Sequence, residues 1–188
     1  MIEWLNHIDT QFFIFLNGLN TDWLDPIMLW ITNKKSWIAF YVVLAAFIIY
    51  KRKLNSIWIF AAIALTILCA DQLTSSFMKP FFERLRPCHQ PLLTDLVHNI
   101  GKCGGQFGFA SSHAANTFGI ATVLSLFFRS DASWFRWMFA WAAVVSYSRI
   151  YVGVHYPGDI IIGALVGSCF GFVICWLVNF TSKKIKPL

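Results

Sequence analysis

The sequence predicts an all-α fold: an integral membrane bundle of about five transmembrane helices, preceded by interfacial helices at the N-terminus. Three observations predict it. First, 57% of the 188 residues are hydrophobic and only 13% are charged, against about 25% charged residues in soluble domains. Second, several apolar runs approach or reach the length that crosses a hydrocarbon layer of about 30 Å. Third, basic residues stand at the ends of those runs: Lys51-Arg52-Lys53, Arg129, Arg136 and Lys183-Lys184-Ile185-Lys186. The net charge of +6 therefore reads as a topological signal and not as a nucleic-acid footprint. The length suits one membrane-embedded domain over 1–188, with no tandem repeat and no low-complexity tract.

Residues 1–33 are apolar but interrupted by Asp9, Asn17, Gly18, Asn20, Asp22, Asp25 and Pro26. Ile8, Phe12, Phe15, Leu16 and Leu19 recur at helical spacing. The stripe predicts an interfacial helix, a turn near Asn17 to Thr21, and a short second helix from Trp23 to Ile31. A distorted first span is the alternative. Met1 to Trp4 lack a basic n-region and Glu3 is acidic, so insertion is expected to rely on the spanning helices.

The spans follow as Trp37–Tyr50, Ile57–Met78, Ala114–Phe128, Trp134–Tyr147 and Ile160–Val178. The first is short. Snorkelling by Lys51 and Arg52, with Trp37 as the opposite anchor, makes up the length. Alternation places the basic clusters on one side, which is the cytoplasm. The polar segment that opens at Lys79 (79–113) and the stretch 148–159 then share the outer side. In a bacterium this means the inner membrane, with these segments facing the periplasm. Gly163, Gly167 and Gly171 recur every four residues. Such a stripe lets two helices approach closely, and Asp159 lies one step upstream.

Ionisable residues beside membrane helices are costly and usually functional. Three polar clusters fall on the outer side: Lys79 to Pro87, Ala110-Ser111-Ser112-His113, and Ser148 to Asp159. Lys79, Arg86 and Arg149 are three cations, and two of the clusters open helices whose first-turn amides favour an anion. Arginine donates bidentately to phosphate. A histidine held by an aspartate can attack phosphorus, and a second can protonate the leaving oxygen. No carboxylate cluster is available for Mg²⁺ or Zn²⁺, so neither a metal nor any other cofactor is expected.

The pattern Lys-x6-Arg-Pro, then Ser-x-His, then Ser-Arg-x5-His-x3-Asp resembles the type 2 phosphatidic acid phosphatase superfamily. Its members are metal-independent membrane lipid phosphatases, with soluble relatives among acid phosphatases and haloperoxidases. The resemblance implies that His155 is the nucleophile, His113 the general acid and Asp159 the partner of His155. It assigns Lys79, Arg86, Ser111, the backbone near Ser112, and Arg149 to the phosphoryl group. The second motif commonly reads Pro-Ser-Gly-His, so Ser112 puts a side chain where the family has none, with a strain cost if that position needs φ > 0. Undecaprenyl pyrophosphate, phosphatidylglycerol phosphate and lipid A are the substrates that such relatives suggest. A lipid phosphotransferase and a transporter for anionic lipid or phosphate are the alternatives.

Other residues leave two readings open. Asp71 shares a helical face with Ser75 and Lys79. It either supports Lys79 or pairs with a neighbouring helix. Arg84 either touches a headgroup or substrate or is a solvated loop charge, and Lys79 and Arg86 are interfacial anchors on the plain reading. Cys88 and Cys103 lie in the outer segment, where an oxidising compartment would join them; Cys69, Cys169 and Cys175 lie in apolar runs. His7, His89 and His98 read as structural. The bilayer and a lipid phosphate are the expected partners, and no obligate protein partner is evident.

Overall fold

The computed structural model describes residues 2–130 and 133–185. Lys186, the last of the basic cluster 183–186, lies outside them. The described residues form helices α1 (Ile2–Asn17), α2 (Asp25–Thr32), α3 (Ile38–Arg52), α4 (Ser56–Asp71), α5 (Lys79–Phe82), α6 (Ser112–Phe127), α7 (Trp137–Tyr151) and α8 (Pro157–Ile185). No strand occurs among them; Leu85 and Phe107 form one isolated antiparallel bridge.

α6 is the central helix. It packs against α8, α4 and α7. Its contact with α8 runs through the glycine stripe. A Cβ on Gly167 would collide with the carbonyl oxygen of Ala115, and one on Gly163 with that of Ser111. The neighbour that the stripe implies is thus α6. The opposite face of α8 carries Ile161, Leu165, Phe172 and Trp176, all exposed. Large apolar side chains outside and glycines inside are what a lipid solvent selects. Pro157–Asn179 reaches a mean hydropathy of 2.4 over 18 residues, and the run Lys34–Phe82 reaches 1.8.

The α4 and α7 spans differ from the sequence expectation at their ends. α4 does not stop at Met78: it widens through a π-helical stretch, Gln72–Met78, and continues as α5 to Phe82. Thr74 Oγ1 donates to the carbonyl of Ala70 at 2.8 Å within this stretch. The widened turn lets the helix run on past Pro80, whose missing N–H would break a regular ladder. Lys79 therefore rides on a helix, which ends at Glu83 in the left-handed conformation (φ 47°). α7 starts and ends later than expected, so Ser148 and Arg149 occupy its last turn. Their polarity falls inside the helix and not after it.

Two of the residues that interrupt the N-terminal stripe, Asn17 and Asp25, are anchors. Asn17, fully buried, donates through Nδ2 to the carbonyls of Ile150 (3.0 Å) and Tyr151 (2.8 Å) and accepts from the His98 N–H (2.8 Å). Asp25 accepts from the Tyr151 hydroxyl at 2.6 Å and pairs with His98 Nε2 at 2.9 Å. Phe13 meets the Tyr156 ring edge-on, centroids 5.3 Å apart. α1 and α2 are thereby fastened to the end of the bundle where α7 stops and α8 begins. At the other end, the Arg52 guanidinium donates to the carbonyl of Phe127 at 2.6 Å, a cation placed at the negative end of α6.

Candidate active site

His155 lies in the short link between α7 and α8, and Asp159 lies in the first turn of α8. Both are buried, at 2% and 0% exposure. Asp159 Oδ2 accepts from the Tyr156 N–H and from His155 Nδ1, each at 3.1 Å. The Nδ1 proton is held there, which leaves Nε2 as the free lone pair. Nε2 faces Arg86 Nη1 at 3.5 Å. Burial pushes the His155 pKa down to about 4; Asp159 opposes this, while Arg86 and Arg149 add to it. A neutral imidazole with an aimed Nε2 can act as a nucleophile.

Arg86 is itself buried, and burial lowers its pKa while Asp159 raises it. Its Nε donates to the carbonyl of Phe107 at 3.2 Å and its backbone N–H to Gln106 at 3.1 Å. Cys88 and Cys103 are disulfide-bonded, Cα atoms 6.1 Å apart, and close the loop behind Arg86. Those two sulfurs and His89 are the cluster of metal-ligand type found among the described residues. With the sulfurs bonded to each other, it has no thiolate to offer.

Lys79 Nζ donates to Ser112 Oγ (2.8 Å) and to Ser75 Oγ (3.2 Å), and Ser75 donates to Asp71 Oδ1 at 3.3 Å. Asp71 supports Lys79 through Ser75; the reading that pairs it with a neighbouring helix is replaced. Ser112 is the first residue of α6, outside the positive-φ region. No strain attaches to it, and its hydroxyl turns toward Lys79. Ser111 is the N-cap of α6, fully buried, with Oγ facing the Ala114 N–H at 3.5 Å. Its own N–H donates to the carbonyl of Asp159 at 3.0 Å. This bond ties the starts of α6 and α8 together.

His113, the second residue of α6, feels the charges of Arg149, Lys34 and Lys79. It also lines a groove of about 370 Å³ with Lys34, Trp37, Leu44, Ile63 and Thr117. Arg149 donates through Nη1 to Thr32 Oγ1 at 2.6 Å, and its Nε is buried with no partner among the described residues.

Four features escaped the sequence reading. Arg84 neither points to a headgroup nor lies solvated: Nη1 bonds Asp159 Oδ1 at 2.9 Å and Nη2 bonds Asp9 Oδ2 at 2.7 Å. Asp9 Oδ1 accepts the Gly158 N–H at 2.7 Å. That first-turn amide of α8, read as favouring a bound anion, is taken by the protein's own carboxylate. Gly108 lies against the His–Asp pair, where a Cβ would come within 3.1 Å of Asp159 Oδ2. Lys34 is a further cation, close enough to act on His113. Arg84 carried the one usable signal, a charge two residues from Arg86. The other three depend on tertiary approach.

The profile of the PAP2 superfamily matches residues 58–183. Lipid A 4'-phosphatase of Bacteroides thetaiotaomicron is 41% identical over 98% of this chain and 81% of its own. The protein of that name from Porphyromonas gingivalis is 37% identical over 92% of this chain and 74% of its own. Among solved structures, LpxE of Aquifex aeolicus superposes with a TM-score of 0.64 at 27% identity, covering 88% of this chain and 93% of that one. With a profile match across its core and relatives along nearly its whole length, the chain belongs to the PAP2 superfamily.

Proposed function

We propose that this protein hydrolyses the terminal phosphate of a membrane lipid, through a phosphohistidine and without a metal. A phosphomonoester on a glycolipid of the lipid A type is the preferred substrate. The observation that carries the chemistry is the His155 imidazole, held at Nδ1 by Asp159 with Nε2 beside Arg86. Nε2 attacks phosphorus and the bond from phosphorus to the lipid oxygen breaks. His113 gives that oxygen a proton. Water then attacks phosphorus, the P–Nε2 bond breaks, His113 takes the water proton, and inorganic phosphate leaves. Lys79, Arg86, Arg149, Ser111 and the Ser112 amide bear the phosphoryl charge.

The apolar groove beside His113 suits one lipid chain while the phosphate sits above it. The glycolipid preference rests on the two relatives that cover nearly all of this chain. The basic residues Arg52, Arg129 and Arg136 lie at the far end of the bundle, which supports a site on the periplasmic side of the inner membrane.

The test is phosphate release by purified protein, in EDTA, from lipid A bisphosphate, phosphatidylglycerol phosphate and undecaprenyl pyrophosphate. Release is expected to be fastest from the first and absent in His155→Ala. Failure on all three lipids, or turnover by that variant, overturns the proposal.

A further inference from the structure

We infer that Arg84 and Asp9 form a brace that positions Asp159 against His155, so that the N-terminal helix takes part in holding the nucleophile. The inference rests on the catalytic reading above. Asp159 has two oxygens with separate tasks. Oδ2 receives His155 Nδ1 and the Tyr156 N–H, and Oδ1 receives Arg84 Nη1. Arg84 Nη2 reaches Asp9 on α1, whose other oxygen is fixed by the Gly158 N–H. The guanidinium also lies over the Tyr156 ring, 4.1 Å from its centroid. The fork thus spans two carboxylates from helices far apart in the chain.

Charge explains why the brace is required. Asp159 is fully buried. A buried carboxylate is costly unless it has a cationic, hydrogen-bonding partner. His155 is neutral and supplies no charge. Among the described residues, Arg84 is the cation in ion-pair contact with Asp159. Geometry also separates Arg84 from the phosphate-binding cations: its two terminal nitrogens are already bonded to carboxylates. Asp9 lies outside the residues 58–183 matched by the family profile. The brace therefore ties an element beyond that core to the motif aspartate.

Removing Arg84 withdraws a positive charge from the His155–Asp159 pair. The pair then takes up a proton more readily, and the His155 titration midpoint rises. The groups that face the pair are Asp9 on α1, Arg84 and Arg86 before α6, Arg149 on α7 and Tyr156 before α8. Lys79 feels the Asp159 charge from α5.

The experiment uses the full chain in detergent with three variants: Arg84→Gln, Arg84→Lys and Asp9→Asn. Two readouts are taken, steady-state hydrolysis of a lipid phosphomonoester and the His155 ring-nitrogen NMR shift against pH. Arg84→Gln is expected to lower kcat by ~10²-fold with KM within about twofold, as for a misplaced catalytic group. Its His155 midpoint should rise by about one pH unit. Arg84→Lys recovers part of kcat, because an ammonium cannot span both carboxylates as a fork does. Asp9→Asn lowers kcat less, and the double variant Arg84→Gln/Asp9→Asn is no slower than Arg84→Gln alone, since Asp9 acts through Arg84.

An unmoved midpoint with kcat within about threefold of the parent overturns the brace. A loss confined to KM overturns it in favour of substrate contact. If Arg84→Gln does not fold, the Asp9→Asn and Arg84→Lys results carry the same decision through kcat. If the parent protein hydrolyses no lipid phosphate, the catalytic reading fails, and the NMR midpoint still decides the brace.

Discussion

Lys79 Nζ lies 2.8 Å from Ser112 Oγ, so the cation on α5 is held by the first residue of α6. Ser112 also meets Ser75 at 2.7 Å and Thr74 at 3.0 Å. Its hydroxyl is the hub that aligns the π-helical stretch with the site. Ser112→Ala removes one acceptor and leaves Lys79 with Ser75 alone. A hydrogen bond to a charged group contributes about 1.5 kcal/mol. The variant should therefore lose roughly tenfold in kcat/KM, mostly through KM, because Lys79 loses its aim and His155 does not. Steady-state kinetics on the purified variant measure this; a pure kcat effect would contradict the role given to Ser112.

The buried His155 makes acid stability predictable. Its pKa is about 4 in the folded protein and about 6.5 when unfolded. Between those values the unfolded chain binds a proton that the folded one does not. Stability is therefore flat with respect to this group above pH ~6.5 and falls as pH drops toward 4. The loss is on the order of 3 kcal/mol. Thermal unfolding in detergent from pH 7 to 4 should show it, and His155→Gln should flatten that part of the curve. An identical slope in the variant would assign acid lability to other groups.

The motif residues were legible because charge is scarce in this chain. Lys79, Arg86, Arg149, His155 and Asp159 stood out against apolar runs. Their supports did not. Arg84 bonds carboxylates 75 positions away on either side of it in the chain, and nothing local distinguishes it from a solvated arginine. Asn17 and Asp25 have the chemistry of helix breakers, yet each closes hydrogen bonds to α7 or its end. Ser148 and Arg149 looked like a loop because polarity in a membrane helix mimics an end. Periodicity finds faces. It does not find a polar group whose partner arrives from another helix.

Cys88 and Cys103 close a loop between Arg86 and the start of α6, with a sequence separation of 15. Closing such a loop stabilises by about 3 kcal/mol on the chain-entropy view. Cys88→Ser/Cys103→Ser should unfold at lower temperature. It should also lose kcat/KM, because the bridge braces the segment that presents Arg86 to His155. Reductant should bring the parent protein to the level of the double variant and leave the variant itself unchanged. A parent protein whose melting temperature ignores reductant would show that the bridge adds nothing to the fold.

The groove beside His113 predicts a dependence on lipid chain length. Its apolar wall includes Leu44, Ile48, Ile63 and Ile67, and His113, Asn116 and Lys34 stand at its polar side. If a lipid chain occupies it, a larger side chain on the wall should exclude the tail and leave the chemistry alone. Ile63→Trp is the chosen change, since Ile63 lines the groove and is not among the motif residues. For a long-chain lipid phosphate, KM should rise by about tenfold, the scale expected when one or two buried methylenes lose their contacts. For a short-chain, water-soluble lipid phosphate, kcat/KM should stay within about twofold of the parent. Equal loss on both substrates would mean that the tryptophan disturbs His113 rather than the tail, and would remove the groove from the substrate path.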